Sequence, residues 1–292
     1  MRGFTSGEYD QLFKTYESSK ELTETQIEGI RQSHNQVLKY RVATYRCRET
    51  IEVECYPIFK DYRAEKRAAK KHLTKDAQEK VNRRNAVKRL TRTINTNFGK
   101  DDYSVTLTYE DGYLPDEKQA LTDMQRYCRL LRKERRKQGL EPLKYVYVIE
   151  FSDGDGRRTR VHHHIIINGG LDRQTVKDLW ENKGRVKVDE LEPTKGSLEG
   201  LARYITKQSG KKYSKKWGCS RGLKKPTVTY SDHKISKRKV EKLAQDMETH
   251  GTHILTKAHE GYALDSCYIK TSEWVAGAYI HAKLYKESSP DG

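Results

Sequence analysis

The 292-residue sequence predicts an α+β fold centred on an antiparallel sheet built in the order βαββαβ. Three observations carry that prediction. Between residues 103 and 188, runs that alternate apolar and polar residues are interleaved with runs whose apolar residues recur every three to four positions. Gly139, the Gly- and Asp-rich run 152–159, and Gly184 fall between these runs, where turns are required. Two of the strand-like runs flank the 152–159 turn and so form a hairpin.

The elements follow in order. Residues 1–60 read as a helical start and then a hairpin, with Tyr40–Tyr45 and Ile51–Ile58 separated by Arg46-Cys47-Arg48-Glu49. From Lys60 to about Thr93 the chain turns to Lys, Arg and Ala, with Ala64, Ala68, Leu73, Ala77, Val81, Val87, Leu90 and Ile94 tracing a thin apolar stripe. Basic residues outnumber acidic ones there about three to one, so a phosphate-contacting cationic face is expected beside the alternative of a solvated one. Tyr103–Tyr109 alternates as a strand. Pro115 opens a helix through Gln138 that carries Leu121, Met124, Cys128 and Leu131 on one face. Lys144–Phe151 and Arg160–Asn168 are the hairpin strands. Asp172 caps a short helix ending near Gly184, Arg185–Val188 is a short strand, and Ser197–Gln208 is a further helix. This order is the split, ferredoxin-like arrangement, expected to carry helices on one sheet face and leave the other open. Beyond it, a helix from Ser236 to about Thr249 and strands at Gly261–Thr271 and Trp274–Tyr285 suggest a small α+β extension. The expected organisation is therefore 1–60 (helix and hairpin), 61–98 (basic helix), 99–210 (central domain) and 211–292 (basic linker and C-terminal region).

Composition narrows the partners. Lys and Arg total 58 against 41 Asp and Glu, giving a net charge of +17 and pointing to a polyanion such as nucleic acid. No run approaches the roughly 18 apolar residues of a membrane span, and the N-terminus lacks a secretory apolar core. Cys47, Cys55, Cys128, Cys219 and Cys267 are scattered, odd in number and without a Cys-x-x-Cys pair. Reduced thiols in a cytoplasm fit this usage; a disulfide framework or zinc finger does not.

The chemistry concentrates at Val161–Asn168, which reads Val-His-His-His-Ile-Ile-Ile-Asn. Side chains alternate along a strand, so His162 and His164 share one face and His163 takes the other. Two imidazoles so spaced make half a metal site, although a surface strand with solvated histidines would carry the same letters. If the hairpin turns near residue 156, Glu150 lies across from His162 on the same face and completes a Mn²⁺ or Mg²⁺ site. Arg157, Arg158 and Arg160 are competing partners for Glu150.

On the later helix, Leu198, Leu201, Ala202 and Ile205 form the buried stripe, Tyr204 stands at its margin, and Lys207 follows one turn on. A phenol held there needs help to act as a nucleophile, since its ordinary pKa is about 10, and a metal and the Lys207 ammonium would both favour the phenolate. A packing tyrosine, one among 19, is the plain alternative. Lys211, Lys212, Lys215, Lys216 and Trp217, then Arg221, Lys224 and Lys225, interleave cations with aromatic rings, a pattern suited to phosphates and stacked bases as well as to a charged linker.

Taken in order, Val105-Thr106-Leu107-Thr108-Tyr109, His162-His163-His164-Ile165-Ile166-Ile167 and Tyr204-Ile205-Thr206-Lys207 resemble the three motifs of rolling-circle replication initiators of the HUH endonuclease superfamily. The layout is similar to replication-associated proteins of small phages and bacterial mobile elements. The motifs span residues 104–208, and His163 departs from the bulky apolar residue usual in that family. The resemblance implies metal ligation by His162, His164 and Glu150, nucleophilic attack by Tyr204 and assistance from Lys207. It implies a bacterial, cytoplasmic protein that nicks and rejoins single-stranded origin DNA through a 5′-phosphotyrosine and a free 3′-OH. A host or element helicase and DNA polymerase would be its partners, because the chain has no G-x-x-x-x-G-K-[ST] motif. Tyr204 follows the histidine motif, as in initiators; relaxases usually place the tyrosine first. Three alternatives stay open: Tyr213, with Lys216 three residues on, as nucleophile; a non-catalytic, ferredoxin-like single-stranded nucleic-acid-binding protein that stacks bases on Tyr145 or Tyr147; and a metal-dependent hydrolase that uses water.

Overall fold

The computed structural model describes residues 22–59, 75–152, 158–181, 183–193, 197–199, 202, 218–271 and 276–287. In chain order the first elements are α1 (Glu24–Gln32), β1 (Val37–Arg46), β2 (Thr50–Phe59), α2 (Lys75–Asn97), β3 (Tyr103–Thr108), α3 (Glu117–Lys137), β4 (Tyr145–Ser152) and β5 (Arg158–Ile167). They are followed by α4 (Arg173–Asp178), β6 (Val186–Glu190), β7 (Gly218–Cys219), β8 (Thr227–Ser231), α5 (Lys237–Gln245), α6 (Thr252–Ala258), β9 (Tyr262–Thr271) and β10 (Ala278–Lys286). The fold is α+β with two antiparallel sheets, divided between a unit drawn from the segments up to Lys88 and from Pro226 onward, and a unit formed by Arg89–Lys225.

In the first unit the sheet order is β8-β1-β2-β10-β9, so the N-terminal hairpin and the C-terminal strands share one sheet. The physical reason lies in the alternation. Ile51, Val53 and Cys55 of β2 and Ile280, Ala282 and Leu284 of β10 present one apolar face, which a two-stranded hairpin cannot bury by itself. Ile30 of α1, Val240 and Leu243 of α5 and Leu255 of α6 close over it. Thr23 opens α1 by accepting from the Gln26 amide at 3.3 Å, while its own amide donates to the Gln26 side chain at 2.9 Å. The helix expected from Ser236 to Thr249 stops at Gln245. Asp246 takes an extended backbone, its carboxylate accepts from the Thr249 amide at 2.9 Å, and a new turn leads into α6.

In the second unit the sheet order is β6-β3-β5-β4-β7, and every neighbouring pair is antiparallel. One face carries α3 and α4, with Met124, Tyr127, Leu131 and Val176 packed on Val105, Leu107, Val161, Ile165 and Ile167. Asp116 and Asp172 cap these helices by accepting from the Gln119 and Thr175 amides at 2.7 and 2.8 Å. The opposite face, expected open, is covered along part of its length. Leu90 and Ile94 of α2, with Phe98, Leu191, Leu198 and Ala202, pack on Val146, Val148 and Ile166. Those strand residues are apolar on the second face too, so leaving it bare would expose them to water. The basic helix expected from Lys60 to Thr93 is described over Lys75–Asn97; residues 60–74 lie outside the described residues. The short strands β7 and β8 had no counterpart among the expected elements, and α4 ends at Asp178, short of Gly184. All five cysteines are free thiols, and among the described residues no helix is long and apolar enough to cross a membrane.

Two predictions concern stability. Gly169 donates its amide to Asp102 Oδ1 at 2.9 Å, and a Cβ at that position would lie 1.9 Å from the Asp101 carbonyl oxygen. Gly169→Ala is therefore expected to cost about 1–3 kcal/mol, read as a lower urea midpoint. His259 is buried between Thr44 Oγ1 (3.2 Å) and the Leu255 carbonyl (3.0 Å), and desolvation pushes its pKa down to about 4. The unfolded chain binds that proton more readily, so this stabilisation is present above the usual imidazole pKa near 6.5 and is lost as pH falls toward 4, a change on the order of 2–3 kcal/mol. Urea melts between pH 7 and 5 should show the slope in the wild type and a shallower one in His259→Gln; equal slopes would refute the assignment.

Candidate metal and nucleic-acid site

β5 is the middle strand of the second sheet, and its neighbours place its side chains. The β4–β5 register sets Glu150 opposite His162 and Val148 opposite His164; the β3–β5 register sets Thr106 opposite His164 and Thr108 opposite His162. Glu150, His162 and His164 thus rise from one face, with one ligand atom from each lying within 4.8 Å of the others. The His162 and His164 rings stand edge to face, 6.2 Å between centroids. Glu150 Oε2 lies 3.2 Å from His164 Nε2, and only 12% and 10% of these two side chains are exposed. The acidic group therefore faces the histidine pair; the side chains of Arg157, Arg158 and Arg160, its expected competitors, lie outside the described residues.

The other ring nitrogen of His164, Nδ1, is 3.4 Å from Thr106 Oγ1. A hydroxyl both donates and accepts, so Thr106 serves either imidazole tautomer: it donates while Nε2–H faces Glu150, and accepts once Nε2 is needed as a ligand. Thr106 was legible only as part of a Thr-rich strand, and its cross-strand register with His164 is what gives it this position.

His163 points the opposite way, into the α3 face. Its Nε2 is 3.1 Å from the Tyr109 hydroxyl, which donates to Asp123 Oδ2 at 3.0 Å, while Lys183 reaches Asp123 Oδ1 at 3.1 Å. Trp180 and Tyr109 flank the ring at 5.4 and 5.5 Å. Burial is the main cause that pushes its pKa down to about 3, so it stays neutral. The residue that departs from the family pattern is a core histidine, satisfied by a tyrosine hydroxyl.

The covering segment brings a helix start to the metal face. Asn95 Oδ1 accepts from the Leu198 amide at 2.8 Å, and Ala202, fully buried, donates its amide to the Leu198 carbonyl at 3.0 Å. Tyr204 and Lys207 follow immediately and lie outside the described residues, as do Lys211, Lys212, Tyr213, Lys215, Lys216 and Trp217. Arg221, Lys224 and Lys225 are described and exposed. The Asn97 side chain holds this stretch, accepting from the Lys224 amide at 2.8 Å and donating to its carbonyl at 2.9 Å. Tyr145 and Tyr147, the stacking platform of the binding-protein alternative, are instead half-buried against the α3 core. Their rings stack on each other at 5.9 Å, and the Arg132 guanidinium sits 5.3 Å from the Tyr145 ring.

Residues 102–212 match a family of replication-associated proteins, the ORF2 type. That span begins just before β3, contains the whole Glu150–His162–His164 group and continues past Tyr204. No curated protein and no solved structure matches the chain. The family match supports a role in DNA replication for the unit that carries the donor group.

Replacing Thr106 by Val keeps the strand shape and removes the hydroxyl. Mn²⁺ affinity is expected to fall about 10–100-fold, as for other lost supports of a ligating histidine. Calorimetric titration would show this, and an unchanged affinity would sink the tautomer argument.

Proposed function

We propose that the protein is a rolling-circle replication initiator that nicks and rejoins single-stranded origin DNA. The observation that carries this reading is the Glu150–His162–His164 donor group, raised from one sheet face within a segment that matches a replication-associated family. The strand order β6-β3-β5-β4 adds support, since a βαββαβ chain wound in that order is a ferredoxin-like palm with its central strands side by side.

Two imidazoles and a carboxylate are a donor set that fits Mn²⁺, with Mg²⁺ as the cellular alternative. A divalent cation there would supply a Lewis acid for the phosphate being transferred. The remaining chemistry falls to the chain itself. Tyr204 Oη attacks the scissile phosphorus, the P–O3′ bond breaks, and the departing oxygen takes up a proton as the free 3′-OH. The 5′-phosphate stays esterified to Tyr204, and attack by a 3′-OH reverses the step and rejoins the strand. Lys207 favours the phenolate. The cations and ring of Lys211, Lys212, Lys215, Lys216 and Trp217, with Arg221, Lys224 and Lys225, hold the backbone phosphates and stack bases. A host or element helicase and DNA polymerase would open the duplex and extend the primer.

The test is to incubate the protein with a pool of labelled single-stranded DNA and Mn²⁺, then look for a covalent adduct on denaturing gels. Wild type should form it, Tyr204→Phe should not, and Glu150→Gln should slow adduct formation about 100-fold or more. Adduct in Tyr204→Phe, lost in Tyr213→Phe, would move the nucleophile. Cleavage without adduct would replace the reading with a water-using nuclease, and binding without cleavage would replace it with a non-catalytic module.

A further inference from the structure

We propose that Glu52, Glu54 and His281 form a second divalent-cation site, separate from the Glu150 group, that ties together the two central strands of the first unit's sheet. Glu52 and Glu54 are two apart on β2 and so share a face, and the β2–β10 register sets His281 directly opposite Glu54. One ligand atom from each of the three lies within 4.8 Å of the others. The group is well shielded, with 13% of the Glu52 side chain, 15% of Glu54 and 4% of His281 exposed.

The chemistry of this donor set favours a cation. Two carboxylates on one strand face repel each other unless positive charge stands between them. His281 does not supply that charge by ionising, because burial holds its imidazole toward the neutral form even with Glu52 hydrogen-bonded to Nε2. A neutral imidazole is the form that ligates metal. The Tyr268 ring stacks on it and fixes its plane. The charge on hand is ammonium: Lys88 Nζ lies 2.8 Å from Glu54 Oε1, and Lys283 is the ladder partner of Glu52. Lys88 has 24% of its side chain exposed, so it can swing into solvent when a metal takes its place. Two carboxylates and one imidazole on paired strands suit Mn²⁺ or Zn²⁺, bound as a clip across the β2–β10 ladder.

The experiment uses the full chain carrying Glu150→Gln, His162→Ala and His164→Ala, so that the first group cannot contribute. Loss of the free Mn²⁺ electron-paramagnetic-resonance signal during titration counts bound ions. One Mn²⁺ per chain is expected in that background, and none after adding Glu52→Gln or His281→Gln. Lys88→Ala in the same background should tighten binding about 3–10-fold, because it removes the competing ammonium. Saturating Zn²⁺ should raise Tm by about 4 °C or more in the background and not in the Glu52→Gln addition. No bound Mn²⁺ in the background, or an ion retained after Glu52→Gln, would overturn the proposal. If Glu52→Gln loses its folded circular-dichroism signal, Lys88→Ala decides: tighter binding supports the site and unchanged binding refutes it. Because the nicking assay reads Tyr204 chemistry in the other unit, the two readings fail separately.

Discussion

The antiparallel pairing of β5 with β3 on one side and β4 on the other is the constraint from which the second unit's site follows. A strand offers its residues to alternate faces, and two neighbours in register leave no freedom to redistribute them. Three consecutive histidines on β5 are thereby divided, two toward Glu150 and Thr106 and one toward Tyr109 and Trp180. A slip of one residue in either ladder would exchange these environments. It would bury two polar rings among Met124, Leu131 and Val176, and carry Ile165 into the donor group. The apolar residues that alternate with the histidines are thus part of the site, because they hold the register against that slip.

The same alternation explains why both faces of this sheet are covered. Val146, Val148 and Ile166 continue the Glu150–His162–His164 face toward the other end of the strands, and there Leu90, Ile94, Phe98, Leu198 and Ala202 bury them. One sheet face is thereby apolar and packed at one end and polar at the other. The packed end steadies the strands beneath the donor group, and the segment that does the packing runs directly into Tyr204. Rigid supports of this kind are what a reaction needing aligned groups requires.

Much of this was legible from local patterning, and the exceptions have a common cause. The β3-α3-β4-β5-α4-β6 order, the caps at Asp116 and Asp172, and the facing of Glu150 and His162 all rest on contacts between near neighbours or across one hairpin. Pairing of β2 with β10 and of β1 with β8 joins segments from opposite ends of the chain, and no spacing or turn signal encodes a partner that distant. The Glu52–Glu54–His281 group was illegible for the same reason, since its members meet only through that pairing. Covering of the second sheet face was missed because an alternating strand reads as half-exposed even when its outward residues, such as Val146 and Val148, are themselves apolar. Asn95 and Asn97, two polar residues ending a helix, gave no hint that their side chains would bond the backbone of Leu198 and Lys224.

That last contact bears on how the exposed cations are presented. By accepting from the Lys224 amide and donating to its carbonyl, the Asn97 side chain makes the pair of bonds that an adjoining strand would make. The segment is braced like a sheet edge without belonging to one. A polyanion meeting Lys224 and Lys225 therefore finds ammonium groups on a backbone already ordered, so less chain entropy is lost on contact than a free linker of the same charge would lose. The segment's grip on phosphate is set by one amide side chain as much as by the number of its lysines.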